Sequence, residues 1–258
     1  MTENSRTRLV RGVIGAFAAA AVAEALTRLG VVDVAPVTEV AARFFALAAD
    51  PGFLANALDT ILAWALGLAL ATLAAVALGV LLGSVPFLGR ASEVVVEFLR
   101  PIPSVALIPL AILLFEGGTD MKVALIVYAA SWPILLNTLY ALRDVDPLAK
   151  DALRSFGFGP LSVLWRVSLP SAAPFVATGV RVAAGIALVV VVAAELLDGG
   201  ESGIGVVLIE ARSTGGSTDV MLAVAFWAGL FGLAVNALLV RAERVAFRWH
   251  AVRAGEPT

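Results

Sequence analysis

The sequence contains no cysteine among its 258 residues and only one histidine, His250, close to the C-terminus. The missing thiols exclude disulfide bonds, thiolate metal sites and cysteine nucleophiles, and one peripheral histidine argues against histidine-based catalysis. Lys122 follows Met121 and Lys150 follows Ala149, so neither lysine completes the Gly-Lys-Ser or Gly-Lys-Thr sequence of a phosphate-binding loop. We therefore expect a chain that is not an enzyme, holds no metal or cofactor and does not itself bind ATP.

Charged residues are also scarce, at 15% of the chain, whereas 60% of the residues are hydrophobic. A soluble domain is typically about one quarter charged, and a soluble core could not cover this much apolar surface. The net charge of −2 gives no reason to expect a nucleic-acid partner. These proportions predict an all-α, polytopic membrane protein surrounded by the lipid bilayer.

A spanning helix needs about 20 mostly apolar residues. Six runs meet this requirement, at residues 12–32, 54–83, 93–115, 121–142, 171–197 and 219–240. The first run is the weakest, because Glu24 and Arg28 interrupt it, and the arginines before its alanine-rich stretch are also typical of a signal peptide. No small-residue cleavage site precedes a soluble domain, so we interpret it as a span. Ala75, Gly79 and Gly83, at four-residue spacing in the second run, predict close helix packing.

The basic residues predict the orientation. With six spans, both termini lie on the same side of the membrane. That side carries 13 of the 18 Lys and Arg residues, and Arg100 is one of the 13. Basic residues favour the cytoplasmic side of a membrane. We therefore expect a cytoplasmic N-terminus at residues 1–11, a transmembrane domain at 12–242 with a cytoplasmic loop at 143–170, and a cytoplasmic tail at 243–258.

The loop at residues 143–170 predicts a short amphipathic helix. Asp146 is a good N-cap, Pro147 suits the first helical position, and Gly157 suits a left-handed stop after the last turn. Apolar residues follow at helical spacing: Leu148, Ala149, Ala152, Leu153 and Phe156. This stripe either packs on the chain's own helix ends and the headgroup layer or contacts a cytosolic partner.

The entrance of the third span is rich in proline. Pro101, Pro103 and Pro109 each remove a backbone donor and disfavour regular helix. Broken helix at membrane depth is tolerated where it is buried in protein or lines a wet cavity. The stretch is thus either the wall or gate of a translocation pathway, with Ser104 facing the pathway, or a helix start followed by one kink.

Ionisable residues inside spans are functional candidates by default. In the fifth span, Arg181 is a pathway candidate that could meet an anionic substrate or pair with a carboxylate. Its alternatives are contact with the headgroups or an internal structural pair. Glu195 is the second candidate, and its alternative is exposure at the external interface. Asn137 and Trp132-Pro133 in the fourth span are weaker cavity candidates, and the alternative for Trp132 is a ring that only fills apolar packing.

The loop also carries a resemblance. Between Gly157 and the fifth span, a second short segment at residues 161–167 is expected to end at Leu169-Pro170. The whole loop resembles that of inner-membrane permeases of binding-protein-dependent ABC importers, whose pattern is E-A-A-x3-G-x9-I-x-L-P. The matching residues are Asp151, Ala152, Leu153, Gly157, Val167, Leu169 and Pro170. Residues 98–110 are similar to the R-P-[IV]-P-x-x-A-x-I-P-L run of the sulfonate, taurine and nitrate branch of these permeases.

The resemblance, which covers roughly residues 54–250, implies the type I ABC importer permease fold. It implies three kinds of partner: a second permease copy in a homodimer, two cytosolic subunits that bind ATP and Mg²⁺, and an extracytoplasmic solute-binding protein. The implied contact with the ATPase consists of Asp151, Ala152, Leu153, Gly157, Leu169 and Pro170.

The substrate implied by the same resemblance is a small organic or oxyanionic solute, such as a sulfonate, taurine, nitrate or an aromatic carboxylate. It would cross the plasma (inner) membrane of a prokaryote. Two alternatives remain open: the same machinery importing a vitamin or vitamin precursor, and a channel or secondary transporter that needs no ATPase.

Overall fold

The computed structural model describes residues 5–198, 202–213 and 217–248, and every regular element in these ranges is helical. The α-helices are α1 Ser5–Arg28, α2 Val37–Leu47, α3 Pro51–Ser84, α4 Pro86–Leu99, α5 Ile108–Phe115, α6 Gly118–Arg143, α7 Pro147–Ser155, α8 Pro160–Val163, α9 Leu169–Asp198, α10 Ile204–Ser213 and α11 Thr218–Ala246. A 3-10 turn, Ser104–Leu107, precedes α5, and a π-helical turn, Leu164–Ser168, joins α8 to α9. Residues 249–258 of the predicted tail, with His250, lie outside the described residues.

Three long helices, α3, α6 and α9, form the centre of the bundle. Small side chains on their facing surfaces let the helix axes approach closely. The fully buried alanines of this core are Ala71, Ala75, Ala130, Ala183 and Ala187. A Cβ added at Gly79 would lie 2.7 Å from Thr138, and one at Gly83 would lie 2.9 Å from Leu142. The predicted packing role of the small residues in the second span is confirmed.

Gly79→Ala is expected to destabilise the bundle by about 1–3 kcal/mol, because Thr138 is buried, β-branched and held by a hydrogen bond from its hydroxyl to the Ile134 carbonyl. Gly229→Ala is the matched control: nothing lies within 4 Å of its added Cβ, and alanine should stabilise α11 by up to about 1 kcal/mol. Thermal unfolding of both variants in one detergent measures the difference. Equal effects would contradict the packing role of Gly79.

The third predicted span is not one straight helix. Helix α4 and the helical segment Ser104–Phe115 are bent by 78° relative to each other, and the helix is interrupted at residues 100–103. The predicted interruption of the helix at Pro101 and Pro103 is confirmed. Counting the bent pair as one span, the described residues contain up to six helical segments long and apolar enough to cross a membrane.

The position of Arg100 differs from the prediction. Tyr128, in the middle of α6, donates its hydroxyl to the carbonyl of Leu99, at 2.8 Å. Arg100 therefore lies beside the middle of a span and does not belong among the residues counted at the cytoplasmic end. The count of basic residues placed Arg100 at the cytoplasmic end of the third span. Helix α4 begins earlier, at Pro86, so the whole of α4 lies between that end and Arg100.

Two helices outside the predicted spans were missed. Helix α2 packs along α11, where the rings of Phe44 and Trp227 stack at 4.6 Å and Trp227 donates to the Phe44 carbonyl, at 3.0 Å. Helix α10 packs on α9 and α11. Their lengths of 11 and 10 residues are well below the span length on which the search for apolar runs depends.

The two charged residues that weaken the first predicted span have a structural role. Arg28 pairs with Glu24 at 2.6 Å, and the backbone N–H of Thr38, in α2, donates to the same carboxylate at 3.0 Å. Helix α1 ends at Arg28, one of the two residues of this ion pair. No residue in the most apolar window of α1 is buried within the chain, so this helix is joined to the bundle through α2.

The second loop segment does not end at Leu169-Pro170, as the sequence led us to expect. Helix α8, the π-helical turn and α9 run on without a break. The reason is the π-helical turn, in which the N–H of Leu169 donates to the carbonyl of Leu164. This wider turn accommodates Pro170, which has no N–H of its own, without interrupting the helix.

Candidate functional site

Helix α7 begins as predicted. The Asp146 carboxylate accepts a hydrogen bond from the N–H of Leu148, at 2.9 Å, and Pro147 occupies the first turn. The cap satisfies a backbone donor that has no partner inside the helix. The short helix is thus defined at its start by its own sequence.

Helix α7 also ends as predicted, at Gly157, whose φ of +82° is the left-handed conformation. The N–H of Gly157 donates to the Arg154 carbonyl at 2.9 Å, and that of Phe158 donates to the Leu153 carbonyl at 3.2 Å. This pair of bonds is the Schellman arrangement of a helix end. The ring of Phe158 is covered by the Arg166 guanidinium, 4.9 Å away, which fixes the chain after the turn.

One face of α7 is apolar and uncovered. Leu148 is 76% exposed, Phe156 is 83% exposed, and Ala152, between them at four-residue spacing, is also exposed. These three side chains are not covered by the described part of the chain, whereas Ala149 and Leu153, the other members of the predicted stripe, are half-buried. We call Leu148, Ala152 and Phe156 the α7 stripe. Leu161 and Trp165, both about two-thirds exposed, continue the apolar surface beyond α7, and the sequence argument missed them because it placed them on a separate segment.

The remaining predicted coupling residues lie in different settings. Asp151 is exposed and pairs with Arg154 at 2.9 Å. Leu153 and Leu169 are half-buried, and Leu169 packs on the cluster that contains Leu142. Pro170 is exposed in the first turn of α9. The structure thus places Asp151 on the open surface of α7 and Leu169 in the packing between the end of α6 and the start of α9.

The break between α4 and α5 opens a cleft of about 460 Å³ against α6 and α9. Pro101, Pro103 and Ser104, three of the predicted pathway residues, line it. Trp132 and Pro133, two of the weaker cavity candidates, also line it. The lining further includes residues that the prediction did not single out: Arg100, Ile102, Tyr128, Ala129, Leu136 and Ile186. The prolines predict the break in the helix. Which other helices line the cleft at the break depends on tertiary packing, which the sequence pattern does not contain.

Asn137 lies in a different place from Ser104. Its amide donates to the Pro133 carbonyl one turn earlier, at 2.8 Å, and its side chain faces Gly179 of α9. It lines a separate cleft of about 390 Å³, with Tyr140 and Phe175. The two candidates therefore do not form one site within a single chain.

Arg181 has a carboxylate partner within the chain. Its guanidinium pairs with Glu243 of α11, at 3.0 Å, and both side chains are partly buried. An internal structural pair is one of the two alternatives to a substrate contact that the sequence leaves open for Arg181. The pair fixes the last turns of α11 against α9.

Glu195 is fully buried, so the expected exposure at the external interface is wrong. Its carboxylate accepts hydrogen bonds from Lys122 at 3.0 Å, from the Thr60 hydroxyl at 2.8 Å and from the N–H of Gly205 at 3.0 Å. Lys122, at the start of the fourth predicted span, is itself buried and also donates to the Ser202 carbonyl, at 2.7 Å. The ion pair therefore joins α3, α6, α9 and the start of α10.

Comparison with known proteins agrees with this architecture. Residues 67–247 match the family model of the binding-protein-dependent transport system inner membrane component. The nitrate import permease protein NrtB of Leptolyngbya laminosa is 30% identical over 74% of this chain and 71% of its own length. The putative aliphatic sulfonates transport permease protein SsuC of Escherichia coli K12 is 33% identical over 62% of this chain and 60% of its own length.

The fold is similar to that of a chain of the MetNI methionine ABC transporter in an inward-facing conformation, with a TM-score of 0.64. The identity is 18%, and the match covers 74% of this chain and 94% of that chain. This likeness supports the type I importer permease fold and carries no information about the substrate. The family match covers most of the chain and includes α7 and the cleft at the α4–α5 break. The chain belongs to the family of binding-protein-dependent transport system inner membrane components and is a permease subunit of an ABC importer.

Proposed function

We propose that two copies of this chain form the pathway of an ATP-driven importer for a small oxyanion, such as nitrate or an aliphatic sulfonate. A separate cytosolic ATPase supplies the energy, and an extracytoplasmic binding protein delivers the substrate. Both termini and α7 then lie in the cytoplasm, as the distribution of basic residues predicts.

The observation that carries the proposal is the α7 stripe. An apolar surface on a short helix that is capped at both ends is built to contact another protein, because its exposure to water is unfavourable. The caps at Asp146 and Gly157 keep α7 rigid, so a displacement of a bound ATPase would move the helix as a unit. From α7 the chain continues through α8 and the π-helical turn into α9, one of the central helices. This continuity supports transmission of the displacement to the spans.

The substrate class rests on the relatives and on the cleft. NrtB is named for nitrate and SsuC for aliphatic sulfonates, which are both small oxyanions. Neither name points to a vitamin, so the vitamin alternative is not favoured. The cleft at the α4–α5 break is the candidate for the pathway, because irregular backbone within a span is tolerated where it lines a cavity.

Reconstitution tests the proposal. Vesicles that contain the chain with its ATPase should take up isotope-labelled nitrate or ethanesulfonate when both ATP and the loaded binding protein are present. Uptake should be at background level when ATP, the ATPase or the binding protein is omitted. Uptake by the chain alone would instead support the channel or secondary transporter, and no uptake of either anion by the complete system would contradict the proposed substrate class.

A further inference from the structure

Arg100 lies deep within the span region. The carbonyl of the preceding residue, Leu99, accepts the hydroxyl of Tyr128 at 2.8 Å. Tyr128 is about 15 Å along α6 from Gly118 and about 22 Å from Arg143, at 1.5 Å per residue. A bilayer core is about 30 Å thick, so the backbone of Arg100 lies beside the middle part of a span, and its side chain is exposed on the single chain. A charged residue in a span is a functional candidate.

Arg100 also lacks the carboxylate partner that Lys122 and Arg181 have. Lys122 pairs with Glu195 at 3.0 Å, and Arg181 pairs with Glu243 at 3.0 Å. Within the described ranges, the Arg100 side chain makes no hydrogen bond or ion pair, although Glu97 lies one turn earlier on α4. The cation is therefore available to a ligand.

The cleft beside Arg100 offers one further donor and, among the described residues, no acid. Ser104 contributes a hydroxyl that makes no hydrogen bond in the part of the chain that the structure describes. The Tyr128 hydroxyl is already engaged by the Leu99 carbonyl, and none of the described residues that line the cleft is an aspartate or a glutamate. The uncompensated charge of Arg100 therefore makes the cleft suitable for an anion.

We propose that Arg100 and Ser104 form a subsite that binds the oxyanion during its passage through the membrane. This inference rests on the proposed function and names the residues that would hold the substrate. A guanidinium presents parallel donors that match two oxygens of one anion. The Ser104 hydroxyl would donate to a remaining oxygen. The cleft volume of about 460 Å³ is ample for nitrate or a small alkanesulfonate.

The test uses the complete transporter, with its ATPase and binding protein, in vesicles of phosphatidylcholine. We expect Arg100→Gln to lower uptake of labelled nitrate or ethanesulfonate about 10- to 100-fold, the range for loss of a hydrogen-bonded charge. Ser104→Ala, which removes only the hydroxyl, should lower uptake about 2- to 10-fold. ATP hydrolysis stimulated by the loaded binding protein should stay within about twofold of wild type in both variants. Arg90→Gln, which removes an arginine of α4 that does not line the cleft, is the matched control and should leave uptake unchanged.

The outcomes separate this inference from the proposed function. If the wild-type transporter takes up neither anion, the proposed function fails. If the wild type transports and both variants transport equally well, the subsite alone is overturned. A parallel loss of uptake and ATP hydrolysis in Arg100→Gln, with no selective loss in Ser104→Ala, would also overturn it. A defect that occurs only with anionic lipid present would identify a headgroup as the ligand and would overturn the oxyanion subsite as well.

Discussion

Replacing Ala152 with arginine should detach the ATPase from the permease and abolish ATP-dependent uptake. Ala152 lies at the centre of the α7 stripe, one turn from Leu148 and one turn from Phe156. A long cation there would be desolvated against the apolar surface of the partner, which is the situation in which charges are most unfavourable. Central interface positions typically contribute 2 kcal/mol or more, so we expect the affinity for the ATPase to fall by about 30-fold or more.

The fold of the variant should be preserved, which makes the result interpretable. Ala152 is exposed, so the larger side chain meets no part of its own chain, and arginine is nearly as good a helix former as alanine. Co-purification of the tagged permease with its ATPase measures the loss, and thermal unfolding of the permease alone checks the fold. Ala152→Ser, which keeps a small side chain at the same position, is the control and should retain the ATPase. Retention of the ATPase by Ala152→Arg would exclude the α7 stripe as the docking surface.

The α7 helix shows which parts of the site a sequence can predict. Its start at Asp146 and its end at Gly157 depend on hydrogen bonds between residues at most a few positions apart, so the residue types are sufficient evidence. The break at Pro101 and Pro103 was predictable for the same reason, because a proline changes its own neighbourhood. The neighbouring residues could not predict that the helix continues through Pro170, because a π-helical turn compensates for the missing N–H of the proline.

The buried pair of Lys122 and Glu195 shows the opposite case. The two residues are distant in the sequence, and each stands at the end of an apolar run, where exposure to the interface is the simplest expectation. Their burial depends on how α3, α6 and α9 converge and on where Gly203 and Gly205 turn the chain against the carboxylate. A Cβ at Gly203 would overlap that carboxylate, so the site requires glycine there. No short-range pattern contains this information.

Removing one member of this pair should destabilise the protein severely. Lys122→Met leaves the Glu195 carboxylate buried without a cation, and Glu195→Gln leaves the Lys122 ammonium buried without an anion. Breaking a buried pair on one side typically costs about 3–5 kcal/mol, because an uncompensated charge remains in a low dielectric. Arg43→Met is the matched control. Arg43 pairs with Asp219 at 2.9 Å and is about half exposed, so its loss should cost about 1 kcal/mol or less.

The double variant Lys122→Met with Glu195→Gln distinguishes the charge from the shape of the side chains. The glutamine carbonyl can still accept hydrogen bonds from Thr60 and from the N–H of Gly205, and no uncompensated charge is left. The double variant should therefore be less destabilised than either single variant, with a favourable interaction energy of about 2 kcal/mol or more between the two sites. Thermal unfolding of the four proteins in one detergent, followed by tryptophan fluorescence, gives this energy. Simple addition of the two single effects would show that packing volume, rather than the ion pair, stabilises the junction of α3, α6 and α9.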